Sequence, residues 1–254
     1  MTQNPILKVL STFQKYKVKS LLIGGQACII YGAAEFSRDS DFVILVNEEN
    51  MGNLKKALGA LKAEQIYVPP LETVFLERGH ACHFRCQRED VEGLRIDIMA
   101  KLQGCDSFDN LYKRRKRVSL KDGTAIEVIG LQDLAQSKKT QRDKDWLMLK
   151  RLVENDIVLN KHKSYPNRLK WWFLESRSPE TLIALAGKYP QIAKECISKR
   201  PLLSFASTQG LEQLKARLNK EELSYRHRDM KYWNPLREEL ELLRHQKGRN
   251  IKKY

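Results

Sequence analysis

The pattern of apolar residues predicts strands and helices mixed in the first part of the chain. Apolar side chains recur at helical spacing in residues 5–16, which predicts an amphipathic helix. The next apolar run predicts a strand that ends at a Gly-Gly turn and leads into a short helix closed near Gly32. The run SDFVILV predicts another buried strand, and residues 48–64 and 131–154 have the pattern of helices.

Two pairs of short apolar segments predict β-hairpins. ACHFRC and LRIDIM are separated by a polar turn, and in the simplest register Cys86 pairs with Leu94 while His83 lies opposite Asp97. A second hairpin is predicted where KRVSL and TAIEVIG flank Asp122-Gly123, because Asp-Gly is a strong turn signal. Both hairpins place short strands within the first part of the chain.

After residue 155 the texture changes to helix signals punctuated by prolines. Pro166, Pro179, Pro190 and Pro235 each stand where a helix could begin, most convincingly in SPE and at the Asn-Pro pair that contains Pro235. The predicted fold class is therefore α/β. A core of strands and helices is expected over residues 1–155, followed by a helical C-terminal domain over residues 156–254.

Positive charge is concentrated in the predicted C-terminal domain. The chain has a net charge of +15, and residues 156–254 hold 21 Lys and Arg against 11 Asp and Glu. This excess favours a polyanionic partner such as RNA. The aromatic residues of this domain could either stack on RNA bases or fill the core, and the sequence leaves both open; they are Trp171, Trp172, Tyr225, Tyr232 and Trp233.

The bulk properties of the chain exclude some classes of protein. The N-terminus lacks the apolar stretch of a signal peptide, and no run approaches the roughly 20 apolar residues of a membrane span. We therefore expect a soluble, cytoplasmic protein that does not bind membranes. A zinc site at His80, Cys82, His83 and Cys86 is disfavoured, because strand alternation turns the two cysteines away from His83.

Three aspartates carry the chemistry that the sequence predicts. Asp39 and Asp41 start an apolar strand at positions i and i+2, so their carboxylates point to the same side. Asp97 lies inside LRIDIM, where a buried carboxylate needs a partner or a metal ion. Mg²⁺ prefers carboxylates together with phosphate oxygens and water. The glycines at 24 and 25 add a tight turn before a helix, where a phosphate is favoured.

The segment GGQACIIYG followed by SRDSDFVILV resembles the signature of the DNA polymerase beta-like nucleotidyltransferase superfamily. The resemblance is to its bacterial branch, which includes toxin-type and antibiotic-modifying transferases. The later segment DLAQSKKTQRDKDW is similar to that branch's helical stretch, in which a lysine precedes an Arg-x-Lys-Asp motif. The resemblance covers roughly residues 18–155.

This resemblance implies an α/β nucleotidyltransferase core, a mixed sheet with flanking helices. It also implies a metal-dependent transfer of a nucleoside monophosphate from a nucleoside triphosphate (NTP) to an acceptor hydroxyl, with RNA and protein as candidate acceptors. Two Mg²⁺ ions would be held by Asp39, Asp41 and Asp97, with Asp97 on the acceptor side. The hairpin register adds His83 and Arg85 as acceptor-side residues. The implied nucleotide-binding residues are Gly24, Gly25, Ser37, Arg38, Lys138, Arg142 and Lys144.

The chain departs from the family pattern at two positions. It has Ser40 between the two aspartates, where the family often has an apolar residue, and Glu35 where the family has an arginine. Arg38 is a candidate replacement for that arginine. Two alternative functions follow: a catalytically decayed nucleic-acid-binding protein, and a small-molecule (antibiotic) nucleotidyltransferase. The sequence does not specify the acceptor, the preferred base, the oligomeric state or a toxin–antitoxin pairing.

Overall fold

A computed structural model of the chain describes residues 5–34, 36–119, 123–162 and 165–251. These residues form two compact units. Unit 1 comprises Met1–Ile30, Ala34–Ser137 and Tyr232–Tyr254, and unit 2 comprises Tyr31–Ala33 and Lys138–Lys231.

Unit 1 is built on a mixed seven-stranded sheet with the strand order β3-β4-β5-β2-β1-β7-β6. Strand β2 pairs antiparallel with β1 and parallel with β5, while β1 pairs parallel with β7. The sequence-based prediction of an α/β fold with a mixed sheet is therefore confirmed. The strands are β1 Ser20–Leu22, β2 Asp39–Ile44, β3 Ala63–Gln65, β4 Cys82–Cys86, β5 Arg95–Met99, β6 Lys116–Ser119 and β7 Ala125–Val128.

Six helices precede the boundary between the units. The first helix buries Val9, Leu10 and Phe13, which belong to the apolar pattern that predicted it. The helix predicted over residues 48–64 ends earlier, because the chain turns at Leu61 and pairs as β3. The six helices are α1 Pro5–Lys15, α2 Gly24–Ile30, α3 Glu48–Ala60, α4 Thr73–Arg78, α5 Phe108–Lys113 and α6 Leu131–Ser137.

The hairpin of β4 and β5 has the register predicted from the sequence. His83 pairs with Asp97, and the Cys86 amide donates to the carbonyl of Leu94 at 2.9 Å. Cys82 and Cys86 are buried, as the alternation of the strand requires. Strands β6 and β7 also pair antiparallel, while Asp122 of their predicted turn lies outside the described residues.

The rest of the described chain is helical. The helix predicted over residues 131–154 is two helices, because α6 ends at Ser137 and α7 begins at Asp143. The indole nitrogen of Trp172 donates to Asp156 on α7 at 2.8 Å. The helices are α7 Asp143–Asn160, α8 Pro166–Glu175, α9 Pro179–Lys188, α10 Pro190–Ile197, α11 Leu203–Ser207 and α12 Leu211–Ile251.

Three of the four proline signals mark helix starts, and the fourth does not. Pro166, Pro179 and Pro190 are the first residues of their helices. The prediction for Pro235 is wrong, because this residue lies inside α12. Proline removes one helical hydrogen bond, and a long helix of good helix formers with a buried Leu236 persists through that loss.

The unit boundary and the change of sequence texture do not coincide. The compact units change between Ser137 and Lys138, whereas the proline-punctuated segment starts after residue 155. Trp171 and Trp172 of this segment are buried, so they are core residues of unit 2. Across the described residues, the helices lack the combination of length and apolar character that a bilayer crossing needs.

Candidate active site

Strand pairing brings the three predicted aspartates together in unit 1. In the parallel ladder of β2 and β5, Asp39 lies opposite Arg95 and Asp41 lies opposite Asp97. Asp39 and Asp41 share one sheet face, because they are two residues apart on β2. Neighbouring strands lie about 4.8 Å apart, so Asp41 and Asp97 are adjacent across the ladder. Asp97 is buried, and the other two aspartates are half-buried.

The Gly-Gly pair makes room for the residues of the site. Gly24 has a φ of +65°, and a Cβ there would lie 1.9 Å from Asp41 Oδ2. A Cβ on Gly25 would lie 2.4 Å from Ser37 Oγ. Both contacts are shorter than a Cβ makes in proteins, so a larger residue at either position would force Asp41 or Ser37 to move. The pair allows the backbone of α2 to lie directly against Asp41 and Ser37.

Hydrogen bonds order the loop that leads into β2. The Gln26 amide nitrogen donates to the Ser37 carbonyl at 2.9 Å, and the Ser37 hydroxyl donates to the Asp39 carbonyl at 3.3 Å. Gln26 is buried and was not among the residues predicted from the sequence. Arg38 is exposed, and its guanidinium lies 5.9 Å from the ring centre of Phe36. These contacts fix the path of the chain immediately before the first aspartate.

The structure describes Ser40 but not Glu35, the two residues at which the sequence departs from the nucleotidyltransferase pattern. Ser40 is fully buried and faces away from Asp39 and Asp41, since it alternates with them on β2. Its hydroxyl has no hydrogen-bond partner among the described residues. Glu35 lies outside the described residues.

A histidine and an arginine side chain contact the same oxygen of Asp97. His83 Nδ1 lies 2.9 Å from Asp97 Oδ1, and Arg95 Nε donates to the same oxygen at 2.8 Å. Arg95 Nη2 also lies 3.1 Å from His83 Nδ1. Burial raises the pKa of Asp97, but the hydrogen bonds from His83 and Arg95 outweigh it and hold this pKa below its usual value. Asp97 is therefore ionised at neutral pH.

Tyr67 and Arg85 complete this side of the site. The Tyr67 ring meets the His83 ring edge-on at 5.9 Å, and the Arg95 guanidinium lies 5.9 Å from the Tyr67 ring centre. Arg85 is exposed and pairs with Arg95 across the hairpin. Arg95 was not among the site residues predicted from the sequence, although strand alternation places it on the same face as Asp97. Tyr67 had no sequence signal, because a loop rather than strand pairing brings it here.

Carboxylate oxygens are ligands that Mg²⁺ prefers, but the three side chains do not point to one common position in this structure. Within the described ranges, no three His, Cys, Asp or Glu side chains are grouped closely enough to hold a metal ion. Asp97 Oδ1 accepts from both His83 and Arg95, which leaves Oδ2 for a metal ion. Asp39 and Asp41 have the donor atoms and the shared face that such an ion requires.

Three of the four basic residues predicted to bind the nucleotide lie in unit 2. Lys138 is buried, and its ammonium group donates to Asp145 Oδ1 at 3.1 Å, while Arg142 Nε donates to Asp145 Oδ2 at 2.7 Å. Burial raises the pKa of Asp145, but Lys138, Arg142 and Thr140 together lower it below its usual value. Lys144 is exposed. Nucleotide contact by these three basic residues stays a prediction.

Comparison with known proteins gives a distant structural likeness. No protein-family model matches the chain, and no curated protein sequence matches it. The chain is similar to the solution structure of the antibiotic-resistance factor ANT(2'')-Ia, with a TM-score of 0.35 and 12% identity over 88% of this chain and 94% of that chain. A likeness this distant assigns neither a family nor an activity to the chain.

Proposed function

We propose that the chain is a nucleotidyltransferase that moves a nucleoside monophosphate from an NTP to an acceptor hydroxyl and releases pyrophosphate. The observation that supports this most is the pairing of β2 with β5, which makes Asp41 and Asp97 neighbours with Asp39 on the face of Asp41. Carboxylates from two adjacent strands are a common way to hold ions that bind phosphate oxygens. The Gly-Gly turn supports the proposal too, because Gly24 leaves room for Asp41.

Each residue of the site has a separate role in the proposal. Asp39 and Asp41 would hold two Mg²⁺ ions, which supply positive charge against the phosphate oxygens when they are bound. Asp97 would offer Oδ2 to the ion on the acceptor side and lie beside the acceptor hydroxyl, helping to remove its proton. His83 and Arg95 keep Asp97 ionised and fix one of its oxygens. Ser37 and Gly25 would line the nucleotide side of the site.

The acceptor is proposed to be anionic. Arg85 and Arg95 lie on the strands that carry His83 and Asp97, and Arg85 is exposed there. Positive charge beside the attacking hydroxyl suits RNA or an acidic protein segment better than a cationic antibiotic. Residues 156–254, with their net charge of +10, would add long-range attraction to RNA.

The Arg95–Asp97 pair favours a second candidate function. A guanidinium bound to the third carboxylate takes up an oxygen that an active site would offer to a metal ion. A catalytically decayed protein that binds nucleic acid on the same core would retain this pair as a structural ion pair. The two candidates differ in whether the chain binds divalent ions at the aspartates.

Transfer of label tests the proposed function directly. The protein is incubated with Mg²⁺, each labelled NTP in turn, and total cellular RNA or protein. We expect label in one macromolecular fraction with the native chain and no label with Asp41→Asn. Asp109→Asn is the matched control, because Asp109 is an exposed aspartate on α5 and should transfer as the native chain does. Transfer by Asp41→Asn at the native rate would refute the mechanism.

Metal binding separates the two candidates without relying on activity. Mn²⁺ is titrated into the protein in the presence of an NTP, and the free ion is followed by electron paramagnetic resonance. We expect saturable binding that Asp41→Asn weakens and Asp109→Asn leaves unchanged. Equal, weak binding by all three proteins would favour the decayed candidate.

A further inference from the structure

A cavity of about 320 Å³ opens in unit 1 away from the three aspartates. Phe42, which lines it, follows Asp41 on β2 and therefore points to the opposite face of the sheet. Phe42 forms the buried floor of the cavity together with Leu10 and Phe13 of α1, and the rings of Phe13 and Phe42 lie 4.7 Å apart. Val18, Tyr112 and Ala125 are half-buried and provide the accessible apolar walls. The proposed transferase chemistry makes no use of this cavity.

The rim of the cavity is cationic. Lys17, Lys19 and Arg117 line it. Lys17 is exposed, and among the described residues neither lysine forms an ion pair. Lys19 lies over the ring of Tyr112 at 5.1 Å, and Arg117 reaches Glu127 at 3.3 Å. Two ammonium groups are thus left to attract an anion.

The positive charge of Lys17 and Lys19 has a different cause from that of the basic run at residues 113–117. Lys116 and Arg117 are on β6, an edge strand, where charged side chains commonly prevent pairing with another sheet. Lys17 and Lys19 come just before β1, which is paired on both sides within the sheet. Protection of an edge therefore does not account for them.

We propose that this cavity takes one base of a single-stranded nucleic acid, with the neighbouring phosphates on Lys17 and Lys19. Apolar walls suit the faces of a base, and the positive rim suits the backbone on either side of it. Gln14, whose side-chain oxygen accepts from the Ala125 amide at 3.1 Å, offers its side-chain NH₂ group to the edge of the base. An acidic peptide would satisfy the cations but would bring no flat ring for the apolar walls.

A binding experiment tests the phosphate contacts. A fluorescent single-stranded RNA is titrated with the full chain, and anisotropy is recorded over a range of salt concentrations. We expect Lys17→Gln with Lys19→Gln to weaken binding about tenfold and to reduce the log–log salt slope by about 1.4, or roughly 0.7 for each lost phosphate contact. The matched control is Lys55→Gln with Lys56→Gln, which removes the same charge from the exposed side of α3.

Crosslinking tests the base contact. RNA that contains 4-thiouridine is irradiated with the native protein, and crosslinked peptides are identified by mass spectrometry. We expect crosslinks in residues 10–20 or at Tyr112. The proposal is overturned if crosslinks fall only in residues 156–254, if the lysine pair variant binds like its control, or if duplex RNA or poly-aspartate competes as well as the single strand. Asp41→Asn should retain this binding, so failure of transfer and failure of this site are distinguishable.

Discussion

At the scale of single residues, the site depends on a glycine that leaves space for a carboxylate. Gly24 has a positive φ, and its α-carbon faces the carboxylate of Asp41. Arg95 and His83 act in the opposite way, because they add contacts that hold Asp97. Gly24 therefore leaves space for the carboxylate of Asp41, whereas His83 and Arg95 fix the position of another carboxylate by hydrogen bonds.

Gly24→Ala should disrupt this arrangement. Its methyl group would overlap Asp41 Oδ2, and alanine is strained at a φ of +65°, so we expect a loss of roughly 1–3 kcal/mol in the free energy of unfolding together with loss of transfer. Urea unfolding measures the first effect. Gly52→Ala is the control, because Gly52 lies inside α3 with nothing within 4 Å and should gain roughly 0.5–1 kcal/mol. Equal stability of the two variants would contradict the packing described.

At the scale of elements, ion pairs join the helices of unit 2. Glu221 on α12 binds both Arg177 and Arg200, with Arg200 Nη2 at 2.7 Å. Arg200 is buried and also donates to the carbonyls of Phe173 at 2.8 Å and Ser176 at 2.9 Å, near the end of α8. One carboxylate therefore ties α12 to the chain around α8.

This ion-pair cluster should make stability depend on pH. Burial raises the pKa of Glu221, but Arg200 and Arg177 outweigh it and lower that pKa below its usual value. A lowered folded-state pKa gives stability that is present above the ordinary glutamate pKa and is lost as the pH falls through the folded value. We expect Glu221→Gln to cost about 1–3 kcal/mol at neutral pH and to flatten the acid limb of stability against pH.

Denaturant unfolding at a series of pH values measures this effect. Glu212→Gln is the control, because Glu212 is exposed on the same helix and pairs only with exposed Lys215 at 3.0 Å. We expect this control to unfold with the native pH dependence. A Glu221→Gln variant that keeps the native acid limb would show that the cluster does not couple to folding.

The interior proline of α12 gives a second prediction at this scale. Pro235 donates no amide hydrogen bond, so replacing it with alanine should stabilise the helix by about 1–3 kcal/mol. Thermal unfolding measures the gain. Pro190→Ala is the control, because Pro190 is the first residue of α10, where the amide has no helical partner, and should change stability little. A destabilised Pro235→Ala would mean that the proline is needed for the native path of α12.

At the scale of the whole molecule, charge should govern how fast polyanions arrive. With a net charge of +15, the chain should associate with RNA at a rate that falls about tenfold or more as salt rises from low to physiological levels. Stopped-flow fluorescence measures this rate. It depends on the total charge, so the Lys17→Gln, Lys19→Gln pair and its Lys55, Lys56 control should slow association to the same extent. A rate independent of salt would remove the electrostatic argument for a polyanionic partner.

The sequence by itself determined the parts of this protein that depend on local periodicity. Strand alternation fixed the shared face of Asp39 and Asp41, and the hydrophobic pattern fixed the register that sets His83 opposite Asp97. Both follow from contacts between neighbours along one strand or across one hairpin. The helical character of the later residues followed in the same way. The order of strands in the mixed sheet did not, because its parallel pairs join segments far apart in the chain.

Only the tertiary structure decided what depends on contacts between distant segments. The sequence contained Gly24 and Asp41 but not the distance between them, and it contained Tyr67 without the loop path that carries it to His83. Pro235 was misassigned because its local helix-start signal is weaker than the continuity of α12. Local patterns specify elements, whereas side-chain packing between elements chooses which groups meet, and that choice depends on the whole chain at once.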